Sequence, residues 1–202
     1  MTLILKETLA ILLLLMIIFV IIGLTVSFLI AFFGGGPFVP TKMKAVKKVL
    51  KAANIKKGDK VVDIGAGDGR FLHLAEKMYG AKATGYEIDP FVYMLARFKQ
   101  IFLGWKGKII RSDFRNHSLK NTDILICYML PSTLKKFQKK FDTELPHGSK
   151  VVSYCFHIGS WKPTKTIPTN KRTGIKRIFI YDIKRDKSAK TRTKKNTKSK
   201  TK

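Results

Sequence analysis

The chain has 202 residues with 40 Lys and Arg against 13 Asp and Glu, a formal net charge of +27. This length allows one globular domain with one core, and 45% hydrophobic content excludes a chain disordered throughout. Two separated cysteines and four scattered histidines make neither a zinc pattern nor a disulfide framework, so no metal site is expected.

From Thr8 to Phe33 there is no charged residue, and Leu, Ile, Phe, Val and Met dominate. This run exceeds the roughly 20 apolar residues needed to cross a bilayer, and it predicts a transmembrane helix over 8–33. A secretory signal would have a shorter core and a small-x-small cleavage site. Here Gly34-Gly35-Gly36-Pro37 reads instead as a break after a retained helix. Only Lys6 and Glu7 precede the span, whereas Lys42, Lys44, Lys47, Lys48 and Lys51 follow it. The positive-inside rule therefore places a single-pass protein with its large C-terminal part in the cytoplasm.

The domain is expected over 37–183. Met43, Val46, Val49, Leu50 and Ala53 recur at helical spacing, with Thr41 as N-cap after Pro40. Lys60 to Ile64 reads as a first strand, Arg70 to Tyr79 as a helix closed by Gly80, and Ala83 to Glu87 as a second strand. A helix from Pro90 to about Leu103 follows, then a strand from Lys108 toward Asp113, a fourth over Asp123 to Tyr128 and a basic amphipathic helix from Pro131 to Leu145. Lys150 to Phe156 is the fifth strand, and the alternating run Ile175 to Ile183 fits a closing antiparallel strand. Strands alternating with helices predict an α/β fold, a doubly wound, Rossmann-like, mostly parallel sheet. Cys127 and Cys155 fall inside apolar strand-like runs and read as buried reduced thiols.

The most telling segment is Val61-Val62-Asp63-Ile64-Gly65-Ala66-Gly67-Asp68-Gly69-Arg70. A strand, an acid and three alternating glycines before a helix let the backbone approach a nucleotide-like ligand closely. The order D-x-G-x-G-x-G departs from the dinucleotide fingerprint G-x-G-x-x-G. It resembles motif I of the class I S-adenosylmethionine-dependent methyltransferases. About twenty residues on, Glu87 ends the second strand, where an acid can accept both ribose hydroxyls of either cofactor type. The resemblance implies S-adenosylmethionine as cofactor, held by Asp63, Gly65, Gly67, Asp68 and Glu87. Asp113, after strand three, would face the adenine amino group, with a turn-capping role as its rival.

A narrower resemblance rests on Pro37-Phe38-Val39-Pro40-Thr41, on Asp63 to Arg70, and on Gly85-Tyr86-Glu87-Ile88-Asp89-Pro90. Leu145-Pro146-x-Gly148-x-x-Val151-Val152-Ser153 and Trp161-x-Pro163 continue it. These strings are similar to the membrane-anchored protein-lysine N-methyltransferases that modify the mitochondrial ATP synthase c subunit and the adenine nucleotide translocase. The resemblance covers Phe38 to Pro163 and implies methylation of a lysine on a membrane-associated protein, without transmitting the substrate. After strand four, Cys127-Tyr128-Met129-Leu130-Pro131 stands where many methyltransferases carry Asn/Asp-Pro-Pro-Tyr, which speaks against adenine in DNA or glutamine as acceptor. Tyr128 is the candidate catalytic residue, able to orient an amine or simply to pack under the sheet edge. Ser153 is a weaker candidate.

The segment from Lys184 to Lys202 holds ten basic residues against Asp186 and no apolar residue beyond Ala189, so it is expected to be disordered. Such a polycation fits an anionic membrane surface, with nucleic acid as the rival partner. No aromatic residues are interleaved to stack on bases. Two other functions stand beside the lysine methyltransferase: a methyltransferase acting on RNA or a membrane-associated small molecule, and a catalytically silent membrane adaptor of the same fold.

Overall fold

The computed structural model describes residues 2–34 and 36–184. The basic segment expected to be disordered lies, beyond Lys184, outside the described residues. The N-terminal apolar run forms one helix, α1 (Thr2–Gly34), without a polar stripe. A seven-stranded sheet follows: β1 (Lys60–Asp63), β2 (Lys82–Glu87), β3 (Lys108–Arg111), β4 (Ile124–Cys127), β5 (Lys150–Tyr154), β6 (Lys165–Ile167) and β7 (Ile178–Asp182). The order across it is β3-β2-β1-β4-β5-β7-β6. β1 to β5 run parallel, while β7 pairs antiparallel with both β5 and β6. The doubly wound, mostly parallel sheet expected from the sequence is therefore the observed fold. β6 is too short and too polar at its exposed positions to show an alternating pattern.

Helices α2 (Met43–Ala53), α3 (Arg70–Tyr79) and α4 (Pro90–Leu103) cover one face of the sheet, and α5 (Pro131–Glu144) the other. The strand period of two sorts the core. Val61, Ile124, Ile126 and Val152 pack under Val46, Val49, Leu50 and Phe71. Val62, Leu125, Cys127 and Val151 meet Leu134, Phe137 and Phe141 on the other side. Because both faces are covered, β4 is buried at all four positions, which is why it reads as a continuous apolar run.

The helix ends follow local chemistry, with one departure. α2 begins one residue later than Thr41 would set it: its N-cap is Lys42, whose side chain makes no capping bond. Thr41 is buried instead, and its carbonyl accepts from Arg70 Nη1. α4 starts with full capping: Asp89 Oδ1 accepts from the N–H groups of Phe91 (2.8 Å) and Val92 (3.2 Å), and Pro90 takes the first helical position. Asp89→Ala is therefore expected to lower stability by about 1 kcal/mol and Asp89→Asn by much less. Urea titration read by the fluorescence of Trp105 and Trp161 checks this.

Candidate cofactor and acceptor site

The parallel strands all end on one rim of the sheet, and the chain winds outward in opposite directions from β1 and from β4. Ligands of doubly wound folds bind at such a switch point. A cleft of about 610 Å³ opens there, within the range of small-molecule sites. It is lined by the loop from Asp63 to Asp68, by Glu87 and Asp113, and by Tyr128 to Leu130 with Phe156. Residues of α1 from Leu24 to Ala31, and Pro37 to Val39, complete it.

The glycine loop is shaped by close approach. Gly67 has φ of 56°, and a Cβ there would fall 2.6 Å from the Phe38 ring. Gly69 has φ of 79° as N-cap of α3, with Trp105 2.8 Å from the position of its missing Cβ. A side chain at either site would be strained by both backbone and neighbours. The loop is then latched to the next strand: Gly67 N–H donates to Glu87 Oε2 at 2.8 Å, and Asp89 N–H to Oε1 at 2.9 Å. Glu87 is buried yet lines the cleft, and a carboxylate has about four acceptor positions, more than its loop contacts use. Burial raises the Glu87 carboxyl above the usual range, with the N–H groups of Asp89 and Gly67 pulling against it.

Asp63 is in register with Gly85, two residues before Glu87, so neighbouring strand ends bring the two acids together. Its side chain is only 2% exposed. Gly65 N–H approaches Oδ1 at 3.4 Å, and Oδ2 is buried with no hydrogen-bond partner. Burial, and then the nearby Glu87 and Asp68, push this carboxyl up to about 7. A buried, unpartnered carboxylate oxygen is costly and calls for a hydrogen-bond donor, which an ammonium would supply. The residues thus fit a ligand carrying a vicinal diol and an ammonium group.

The other sequence candidates are placed differently. Asp68 lines the cleft and is held by Arg70, whose Nε donates to Oδ1 at 2.7 Å, and by Lys99 Nζ on Oδ2. Burial would raise this carboxyl, yet the bonds from Arg70 and Lys99 outweigh it and hold Asp68 below the usual range. Asp68 and Arg70 clamp the loop to the Thr41 carbonyl. Asp113 also lines the cleft while capping a short 3-10 turn over Phe114–Asn116: Oδ1 accepts from Arg115 N–H at 2.9 Å and Oδ2 from Arg115 Nε at 2.6 Å. Tyr128 shows the packing weighed for it, at the edge of the cleft. Its ring packs against Tyr154 and Phe156, with centroids 5.0 and 6.2 Å away, and it borders the cleft beside Met129. Ser153 is fully buried, donates to the Phe156 carbonyl at 2.6 Å and does not line the cleft. Cys127 is buried, and burial pushes its thiol up to about 12, an inert core group; Cys155 is half-buried, with φ of 74°.

Phe38 and Phe156 were not singled out as site residues. Phe38 stood in a recognisable string, but nothing local says that it lies on Gly67. Phe156 follows β5 in a bend that no periodicity marks.

Comparison with known proteins places this geometry. The profile described as the ANTKMT methyltransferase domain matches residues 63–165. The chain is 31% identical over 149 residues to the adenine nucleotide translocase lysine N-methyltransferase of Mus musculus, covering 73% of this chain and 63% of that one. It thus spans less than two thirds of that relative's length. It is 28% identical over 150 residues to a protein-lysine N-methyltransferase of Saccharolobus islandicus (strain REY15A), with 73% and 93% covered. Among solved structures, an RNA methyltransferase from Salinibacter ruber in complex with S-adenosyl-L-homocysteine superposes with a TM-score of 0.69 at 28% identity, over 73% of this chain and 95% of that one.

Proposed function

Because the chain belongs to the ANTKMT methyltransferase domain family, we propose that it is an S-adenosylmethionine-dependent protein-lysine N-methyltransferase. We place it at a membrane through α1, with the domain facing the cytoplasm. The carrying observation is the pair of buried acids at adjoining strand ends. Glu87 has acceptor capacity for a ribose diol, and Asp63 Oδ2 lacks a partner that an amino-acid ammonium would supply. Asp113 would serve the base. Asp68 would support the loop through Arg70 and Lys99 rather than touch the cofactor.

Bound there, the cofactor supplies a sulfonium methyl, an activated electrophile. The acceptor nitrogen forms the new N–C bond as the C–S bond breaks, and the nitrogen's extra proton leaves to solvent. The protein's part is positioning, which can contribute several kcal/mol. It also has to favour the neutral amine. The walls beside the loop are Tyr128, Met129, Leu130 and Phe156, a surrounding that disfavours an ammonium and so lowers the pKa of an entering lysine. Tyr128 is assigned the orientation of that amine.

Labelling tests this reading. Full-length protein incubated with tritiated cofactor and membranes of its source should place label in a protein band, as methylated lysine after acid hydrolysis, and Glu87→Ala should not. One observation favours a second reading: the RNA methyltransferase likeness, together with ten basic residues from Lys184 onward, points to RNA. Label lost to ribonuclease rather than to protease would select it.

A further inference from the structure

Along α4, Met94, Leu95, Phe98, Ile101, Phe102 and Leu103 are all exposed, Ile101 at 74% and Phe102 at 72%. Spacings of three and four residues gather most of them on one side, away from Val92 and Ala96, which are buried in the domain. Phe98 and Phe102 lie 4.4 Å apart, centroid to centroid, and shield mainly each other. A contiguous apolar face of this kind marks a surface that meets something other than water.

α1 indicates what that is. Its apolar span, Leu3–Ala31, has 29 residues and is about 43 Å long, whereas a bilayer's hydrocarbon core is about 30 Å thick. Lys6 and Glu7 bound the span at its outer end, so the roughly 20 apolar residues needed to cross run from Thr8 to about Ser27. Residues 3–22 are exposed throughout, Gly23 is buried, and beyond it Leu24, Ser27, Phe28, Ile30 and Ala31 border the cleft, Leu24 and Phe28 while still exposed. The domain meets α1 at this same level: the Phe91 ring, in the first turn of α4, packs on Phe19 with centroids 5.7 Å apart and sits on Gly23. A bilayer crossed by this span thus reaches the level at which α4 begins. Arg97, Lys106 and Lys108 are exposed along and just beyond α4, suited to anionic headgroups.

We propose that α4 is an interfacial helix whose apolar face inserts into the anionic leaflet that α1 crosses, so that two attachments hold the cleft at the membrane surface. This rests on the reading of α1 as a membrane span. The consequence for specificity is that the acceptor lysine must lie at headgroup level, on a membrane-embedded or membrane-apposed protein.

The test uses the full-length protein, one copy per phosphatidylcholine–phosphatidylserine nanodisc, with nitroxide labels on Phe98→Cys and Ile101→Cys in a Cys155→Ser background. Leu13→Cys in α1 and Lys48→Cys on α2 serve as references. Positions 98 and 101 are expected to behave as position 13 does: frequent collision with dissolved oxygen, which concentrates among acyl chains, and little with a water-soluble nickel chelate. Position 48 should do the reverse. Nickel access at 98 and 101, with position 13 shielded, overturns the proposal and leaves the anchor standing. Nickel access at position 13 as well removes the anchor, and the interfacial helix with it. Exclusion of both reagents at 98 and 101 means a protein cover, which also overturns it.

Discussion

Glu87→Ala is expected to weaken binding of S-adenosylmethionine, or of its demethylated product, by at least about a hundredfold. The residue would lose two charge-assisted hydrogen bonds to the ligand, each worth about 1.5–3 kcal/mol. It also loses the latch on the loop, because Gly67 N–H and Asp89 N–H both donate to this carboxylate. Gly67 at φ of 56° is then free to leave the conformation that brings the backbone to the ligand. Glu87→Gln keeps one carbonyl acceptor but offers a second N–H donor where an acceptor was needed, so its loss should fall between wild type and alanine. The fold should survive, since removing this charge also relieves Asp63, which Glu87 pushes upward. Calorimetry on the detergent-solubilised protein decides the matter: an alanine variant binding within about threefold of wild type would end the assignment of Glu87 to the ribose.

How much of this could be seen in the sequence depends on the range of each interaction. The cofactor loop was visible because its determinants are contiguous: a β-branched strand end, an acid and alternating glycines. Glu87 was visible because a strand, a helix and a second strand occupy a nearly fixed length, so the acid comes about twenty residues on. The sheet's alternation and its antiparallel end were likewise local patterns. The partners of these residues were not visible, because they come from far along the chain. Asp68 reads as a cofactor ligand in a motif, and the motif does not reveal that Arg70 and, 31 residues away, Lys99 hold it. Asp113 carried two readings that only the position of Arg115 could weigh. The sequence predicts a helix from Pro90 to about Leu103 and does not say which of its apolar faces the domain buries. Only the observation that two positions, Val92 and Ala96, suffice to bury it against the domain separates its other face as surplus.

Asp63→Asn should make the ligand-free protein more stable in mildly alkaline buffer while impairing cofactor binding. The wild-type carboxyl is held at about 7 by burial, with Glu87 and Asp68 adding, against an ordinary value of 3.8. Below both values it is protonated in folded and unfolded chains alike. As pH rises between them, the unfolded chain releases this proton and the folded one retains it, so stability is lost until pH passes about 7. The full loss is on the order of 4 kcal/mol. An amide at this position carries no charge, so the variant should lose this share of the downward slope and keep the share that comes from the buried Glu87. Its own cost is an amide N–H₂ buried where Oδ2 had no partner, which is smaller than that of a buried carboxylate. His73 acts with the opposite sign, because its burial lowers its pKa, but it contributes equally to both proteins and cancels in their difference. Cofactor binding should invert the ranking. A cation against Oδ2 favours the ionised acid, so wild-type affinity should rise by up to about tenfold per pH unit as pH approaches 7 from below, and the variant should show little such rise. Urea unfolding of both proteins in mildly acidic and mildly alkaline buffer, paired with calorimetry under the same conditions, measures both effects. A variant that is less stable than wild type in alkali, or that keeps the wild-type pH dependence of binding, would remove Asp63 from the role of buried anion awaiting its partner.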